Sequence, residues 1–194
     1  MAIGKWRVLN SREVLRDRWI HVRADACVTP GGVEVTPYYV LDYPDWVHIV
    51  AVDEHSRVLL IRQYRHGSGD ISLELPAGAI DLTDVDVLEA GARELREETG
   101  FAGEMSLVGV NSPNPANHSN RIHTLLARNA RPSGLSDLDE TEEIEWILVS
   151  VEDAVLAATG GAMHSAIQVA SLFLGLKAAG LLRLETGRAA VDGA

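Results

Sequence analysis

The fold class this chain of 194 residues predicts is an α/β sandwich with a small antiparallel strand domain set ahead of it. Three observations predict it. Residues 1–43 read as strands, with alternating runs and turn chemistry; strands flank a single strongly marked helix; and a long helix returns near the end.

The elements follow in chain order. Residues 19–28 alternate, Pro30-Gly31-Gly32 supplies a turn, and residues 33–36 lead into 38–41. Tyr43-Pro44-Asp45 is the joint to the main domain. Residues 46–52 and 57–64 form a hairpin around 53–56. Asp86 and Glu89 fit a capping arrangement that opens the central helix, and Gly100 closes it as a left-handed cap. Leu88, Gly91, Ala92, Leu95 and Thr99 make its buried stripe, with Gly91 allowing a neighbouring element to approach closely. Strands follow near residues 106–110, 121–127 and 144–149. A helix over 151–158 and a long amphipathic helix over 164–179 complete the fold. The expected division is a β domain over 1–43, the main domain over 44–185 and a loose, small-residue tail over 186–194.

Composition narrows the function class. The net charge of −11 argues against a nucleic-acid surface, which needs clustered Lys and Arg. The single cysteine, Cys27, excludes internal disulfides and a four-cysteine zinc site and fits a reducing compartment, so a cytoplasmic setting is expected. No apolar signal segment opens the chain, and the apolar stretch 166–182 is interrupted by Gln168 and Lys177, so no membrane span is expected.

Residues 93–101, Arg-Glu-Leu-Arg-Glu-Glu-Thr-Gly-Phe, carry the chemistry. Glu94, Glu97 and Glu98 crowd one sector near a helix C-terminus, where the macrodipole already disfavours acids. Folding alone does not call for them there. A divalent cation removes both penalties, and hard cations take oxygen ligands.

With the upstream loop Glu74-Leu75-Pro76-Ala77-Gly78-Ala79-Ile80-Asp81, this stretch resembles the Nudix box, G-x5-E-x7-R-E-U-x-E-E-x-G-U, where U is a bulky apolar residue. The second half matches completely. In the first half Asp84 replaces a Glu, and the interval from Gly78 to Arg93 is one residue longer; no catalytic role is carried onto Asp84. Arg62-Gln63-Tyr64-Arg65, the Glu74–Gly78 stretch, the Pro113-Asn114-Pro115 loop and the N-terminal strands are similar to the ADP-ribose and nucleoside-diphosphate-sugar pyrophosphatase branch. The resemblance therefore implies a Nudix α/β/α sandwich with an N-terminal strand domain that is exchanged or packed across a homodimer.

The same resemblance implies site residues. The Ala77 carbonyl with Glu94 and Glu98 is expected to hold Mg²⁺, or Mn²⁺ in its place, with Glu97 on a further ion or as a second-site ligand and Arg93 orienting a glutamate. Arg65 is expected to meet a phosphate, with Arg62 and Pro115 also on the substrate. In the acidic loop 139–143, Glu140 and Glu142 are the two candidates for activating water, Glu140 ahead. The implied reaction is Mg²⁺-dependent cleavage of ADP-ribose to AMP and ribose 5-phosphate. Another nucleotide sugar or a dinucleotide as substrate, or a ligand-sensing module without catalysis, are the alternatives. The absence of a Pro-Trp-Pro-Phe stretch and the scarcity of cysteine count against the NADH-cleaving branch.

Overall fold

The computed structural model describes residues 3–138 and 141–183. The expected tail over 186–194 and Glu140 lie outside the described residues. The chain opens with a three-stranded antiparallel sheet of β1 (Arg7–Arg16), β2 (His21–Val28) and β3 (Glu34–Asp42), in that order. Sequence alternation alone does not reveal β1, because every one of its residues is exposed and apolar side chains stand on both faces. Ala24 and Cys27 of β2 and Val40 of β3 are buried.

The second sheet is built from β4 (Trp46–Val52), β5 (Val58–Arg65), β6 (Asp70–Glu74), β7 (Ala77–Ala79), β8 (Phe101–Asn111), β9 (Ile122–Pro132) and β10 (Ile144–Val149). Its order is β10-β5-β4-β9-β8, with β6 beside β5 and β7 beside β4. Only β4 and β9 run parallel. The expected hairpin of 46–64 is short: β4 and β5 pair only at Ala51–Leu59 and Val52–Val58. Beyond that they part, and β6 and β7 each add to one arm of the opening. Sequence patterning assigns no strand to residues 70–79, since β6 and β7 are short and their pairing is non-local.

Alternation along β4 assigns its two faces. Val47, Ile49 and Ala51 pack with Leu95 and Ala90 of α1 (Val87–Thr99), whereas Val50 and Val52 pack with Leu172 and Leu176 of α3 (Ala166–Ala179) and Ala154 and Ala158 of α2 (Val151–Thr159). The result is the α/β/α sandwich the sequence predicts. Gly91 and Gly175 set the helix–sheet spacing: a Cβ on the first would run into Leu125, and on the second into Val50. Two expectations are corrected. Ala92 is exposed and Ala90 takes its place in the stripe of α1. Helix α3 is not amphipathic in the usual sense, since Gln168 and Ser171 lie on its buried side while Phe173 and Leu174 line an open groove. No helix among the described residues is long and apolar enough to cross a membrane.

Candidate active site

Helix α1 is fixed at both ends. Asp86 Oδ1 accepts from the Leu88 and Glu89 N–H groups at 2.8 and 2.9 Å, and Gly100, at φ 72°, donates its N–H to the Arg96 carbonyl. That register aims the last turn of α1 at the β6–β7 corner. Glu98 is 5% exposed, and its Oε2 accepts the Ala77 N–H at 3.0 Å. The Glu94 carboxylate lies so close against Gly78 that a Cβ there would collide with it. The loop and the helix of the motif therefore form one wall.

Arg93 ties that wall together. Its Nε and Nη2 donate to the two oxygens of Asp84 at 3.0 Å each, its Nη1 to Glu94 Oε1 at 2.8 Å and Glu97 Oε2 at 3.0 Å, and its Nη2 also to the Ala79 carbonyl. Asp84, to which the sequence assigns no role, is the bidentate anchor of this clamp. Asp84 lies in the stretch where the sequence departs from the box in both length and side chain, and its carboxylate meets the guanidinium there. Sequence could have hinted at this, because the departure in length and the departure in side chain occur together.

Burial dominates the electrostatics of the two carboxyls. It pushes Glu94 up to about 7 against the pull of Arg93. Glu98 is pushed well above the ordinary carboxylate range by burial, with the Ala77 N–H opposing and Glu94 and Glu142 adding to the rise. Two adjacent, desolvated carboxyls that local donors do not hold ionised fit a divalent cation, which supplies the missing positive charge. Among the described residues no three His, Cys, Asp or Glu side chains converge as a ready-made cage. Two carboxylates and a main-chain carbonyl need no such trio.

Beside this wall, where β4 and β5 part, lies a cavity of about 480 Å³ lined by Trp46, His48, Arg65, Glu74, Ala77–Ala79 and the start of α3. Arg65 grips buried Glu74 through Nε and Nη2 at 2.9 and 2.7 Å. Glu142 acts electrostatically on Arg65, Glu94 and Glu98 alike, so this residue of the acidic stretch stands within range of the same site. Two other expected residues do not join it. Arg62 is three residues from Arg65 on β5 and faces the other side of the sheet, 3.3 Å from Glu145. Pro115 is exposed on a turn and is not part of the cavity wall.

Known proteins resemble this chain in sequence and fold. The NUDIX domain model matches residues 42–168. This chain belongs to the Nudix family. The model of the nucleoside diphosphate sugar hydrolase N-terminal domain matches residues 6–41 of this Nudix hydrolase. An ADP-ribose pyrophosphatase of Mycobacterium tuberculosis is 34% identical over 73% of this chain and 69% of its own length. The methanol dehydrogenase activator of Bacillus methanolicus is 22% identical over 77% of this chain and 80% of its own length. The crystal structure of an ADP compounds hydrolase matches with a TM-score of 0.81 at 27% identity, covering 94% of this chain and 100% of that one.

Other polar residues of this Nudix hydrolase are invisible to sequence patterning. Glu74 and Gln168 are 4% exposed and bonded to each other, 94 residues apart. His48 is buried, with Nδ1 at 2.9 Å from Ser171 Oγ, which in turn meets Thr124. His48 and Gln168 acquire these partners only when α3 packs on the sheet, and Glu74, already gripped by Arg65, gains Gln168 at the same step.

Proposed function

We propose that this Nudix hydrolase cleaves the pyrophosphate bond of a nucleoside diphosphate derivative, with ADP-ribose as substrate and AMP and ribose 5-phosphate as products. The observation that carries the reading is the joining of Ala77–Gly78 to Glu94 and Glu98 in one wall, beside a cavity that also holds Arg65. The name of the Mycobacterium tuberculosis relative supports the choice of substrate.

The ligands would be the Ala77 carbonyl, Glu94 and Glu98, with Glu97 on a further ion and Mg²⁺ as the metal. A Mg²⁺ ion held by these residues would supply positive charge to offset the phosphate oxygens, which otherwise repel a nucleophile, and would lower the pKa of water. Arg93 holds Glu94 and Glu97 in place. Arg65, locked by Glu74, presents a guanidinium to the substrate phosphate. Glu140 or Glu142 takes the proton of the attacking water as a new P–O bond forms. The bridging oxygen departs with the other phosphate. Binding energy gathered by the cavity orients the two phosphates for that displacement. The exposed β1 strand supports a homodimer, in which the N-terminal sheet of each copy packs on the other.

The test is AMP release from a panel of nucleotide sugars and dinucleotides, with and without Mg²⁺. Metal-dependent AMP release that is greatest with ADP-ribose is expected. Preference for another member of the panel replaces the substrate, and binding without turnover in any metal makes the protein a ligand-sensing module.

A further inference from the structure

Gln168 sits on the first turn of α3 with both ends of its amide engaged. Its Oε1 accepts the Leu75 N–H at 2.6 Å and its Nε2 donates to Glu74 Oε2 at 2.9 Å. The Leu75 N–H can only donate and the carboxylate only accept, so the amide orientation follows from its partners. These two hydrogen bonds lead to different parts of the site. Through Leu75 the amide holds the strand-to-strand corner that runs on through Pro76, whose carbonyl accepts from Ile49, to Ala77. Through Glu74 it holds the carboxylate that locks Arg65.

We propose that Gln168 is a positioning residue that sets the Ala77 turn and the Arg65 guanidinium together, so that the metal wall and the phosphate contact keep a fixed separation. The inference rests on the pyrophosphatase reading of the cleft. An amide of this length is the one side chain that satisfies both partners: glutamate offers no donor to Glu74, and methionine satisfies neither. Leu75 is wholly buried, so breaking its hydrogen bond to the amide leaves an unpaired N–H, while Glu74 keeps Arg65 but loses the donor that fixes its carboxylate from the other side.

Helix α3 does not depend on the amide for its place. The Leu73 N–H donates to the Ala162 carbonyl at 3.0 Å, the His164 N–H to Ser72 Oγ at 3.2 Å, and Leu172 and Leu176 are wholly buried against the sheet. Removing the amide should therefore loosen the corner and leave the sandwich standing.

The experiment measures Mn²⁺ binding to the substrate-free protein by electron paramagnetic resonance, alongside KM, kcat and Tm. Gln168→Met should weaken Mn²⁺ binding and raise KM by about tenfold each, the usual cost of losing a residue that supports metal ligands. Gln168→Glu keeps the length and the hydrogen bond to Leu75, and carries the test if the methionine variant does not fold. The exchange Gln168→Glu with Glu74→Gln restores a donor–acceptor pair and the Leu75 hydrogen bond, but deprives Arg65 of its carboxylate. Mn²⁺ affinity should then recover while KM stays high, a split that general destabilisation does not produce. Mn²⁺ affinity and KM within about twofold of the parent in both single variants overturn the proposal, as does a parent that binds no Mn²⁺. A parent that turns over no nucleotide, yet loses Mn²⁺ affinity on Gln168→Met, retires the substrate reading and leaves this one standing.

Discussion

Glu98 shows how a single residue can be costly to the fold and necessary to the site. Its carboxyl is buried against the Ala77 N–H, with Glu94 alongside, and in the absence of metal it is driven toward the protonated form. Glu98→Gln keeps size and helix propensity while removing that conflict. In metal-free buffer its Tm should hold or rise, and turnover should fall by orders of magnitude. Glu97→Gln should behave in the same direction with a smaller Tm gain, because Glu97 also neutralises Arg93. Near-normal turnover in both variants would remove the box from the mechanism. The general base is decided by a second pair. Glu140→Gln should cost ~10²–10⁴ in kcat if that residue takes the proton, and Glu142→Gln should do so if its neighbour does. A loss of only a few-fold in each would make the loop merely solvated.

At the scale of elements, the clamp between the 81–84 loop and α1 and the seat of α3 on β4 are separable. Asp84→Asn leaves an acceptor but no charge opposite Arg93, whose other partners would draw it toward the ligands. A loss of about 1–3 kcal/mol in urea unfolding is expected from weakening a charged hydrogen bond. An accompanying fall of about tenfold or more in kcat is expected from the disturbed support of Glu94 and Glu97. Unchanged kinetics with lowered stability would make Asp84 a folding residue only. The α3 seat responds to pH instead. Burial lowers the His48 imidazole to about 4 from an ordinary 6.5, with Glu74 opposing. The unfolded chain takes up this proton near 6.5 and the folded one only near 4, so this contribution is complete above 6.5 and lost as pH falls toward 4. Linkage puts the loss at about 3 kcal/mol across that window. His48→Gln should flatten the stability profile there, and a variant with the parent's slope would assign the acid sensitivity elsewhere.

For the whole molecule, the uncovered surface of the N-terminal sheet is the feature that asks for a partner. Val8, Leu9, Val14 and Leu15 are each 45–54% exposed along the edge strand β1, with Trp6 exposed just before it, and such an edge is a ready template for pairing. A homodimer burying on the order of 2,000 Å² or more is expected. Light scattering should give twice the chain mass at micromolar concentration, and Leu9→Glu with Leu15→Glu should halve it and lower Tm. A monomeric parent would leave that surface for another occupant.

Chain order and local chemistry were enough for the sandwich, the helix bounds at Asp86 and Gly100 and the acidic turn of residues 94–98, because caps and helical periodicity act over a few residues. They also placed Arg93 beside Glu97, one turn away. Tertiary structure alone decided the rest. The parting of β4 and β5 opens the cavity, and no window of sequence reports where two strands stop pairing. Strand pleating puts Arg65 and Arg62 on opposite faces of β5, and the fold decides which of them meets the site: Arg65 turns to Glu74 and Arg62 to Glu145. Asp84 is an anchor because the fold brings its carboxylate against Arg93, nine residues on. Gln168 and Glu74 became partners because burying polar groups requires a complementary donor and acceptor, and packing supplied one from 94 residues away.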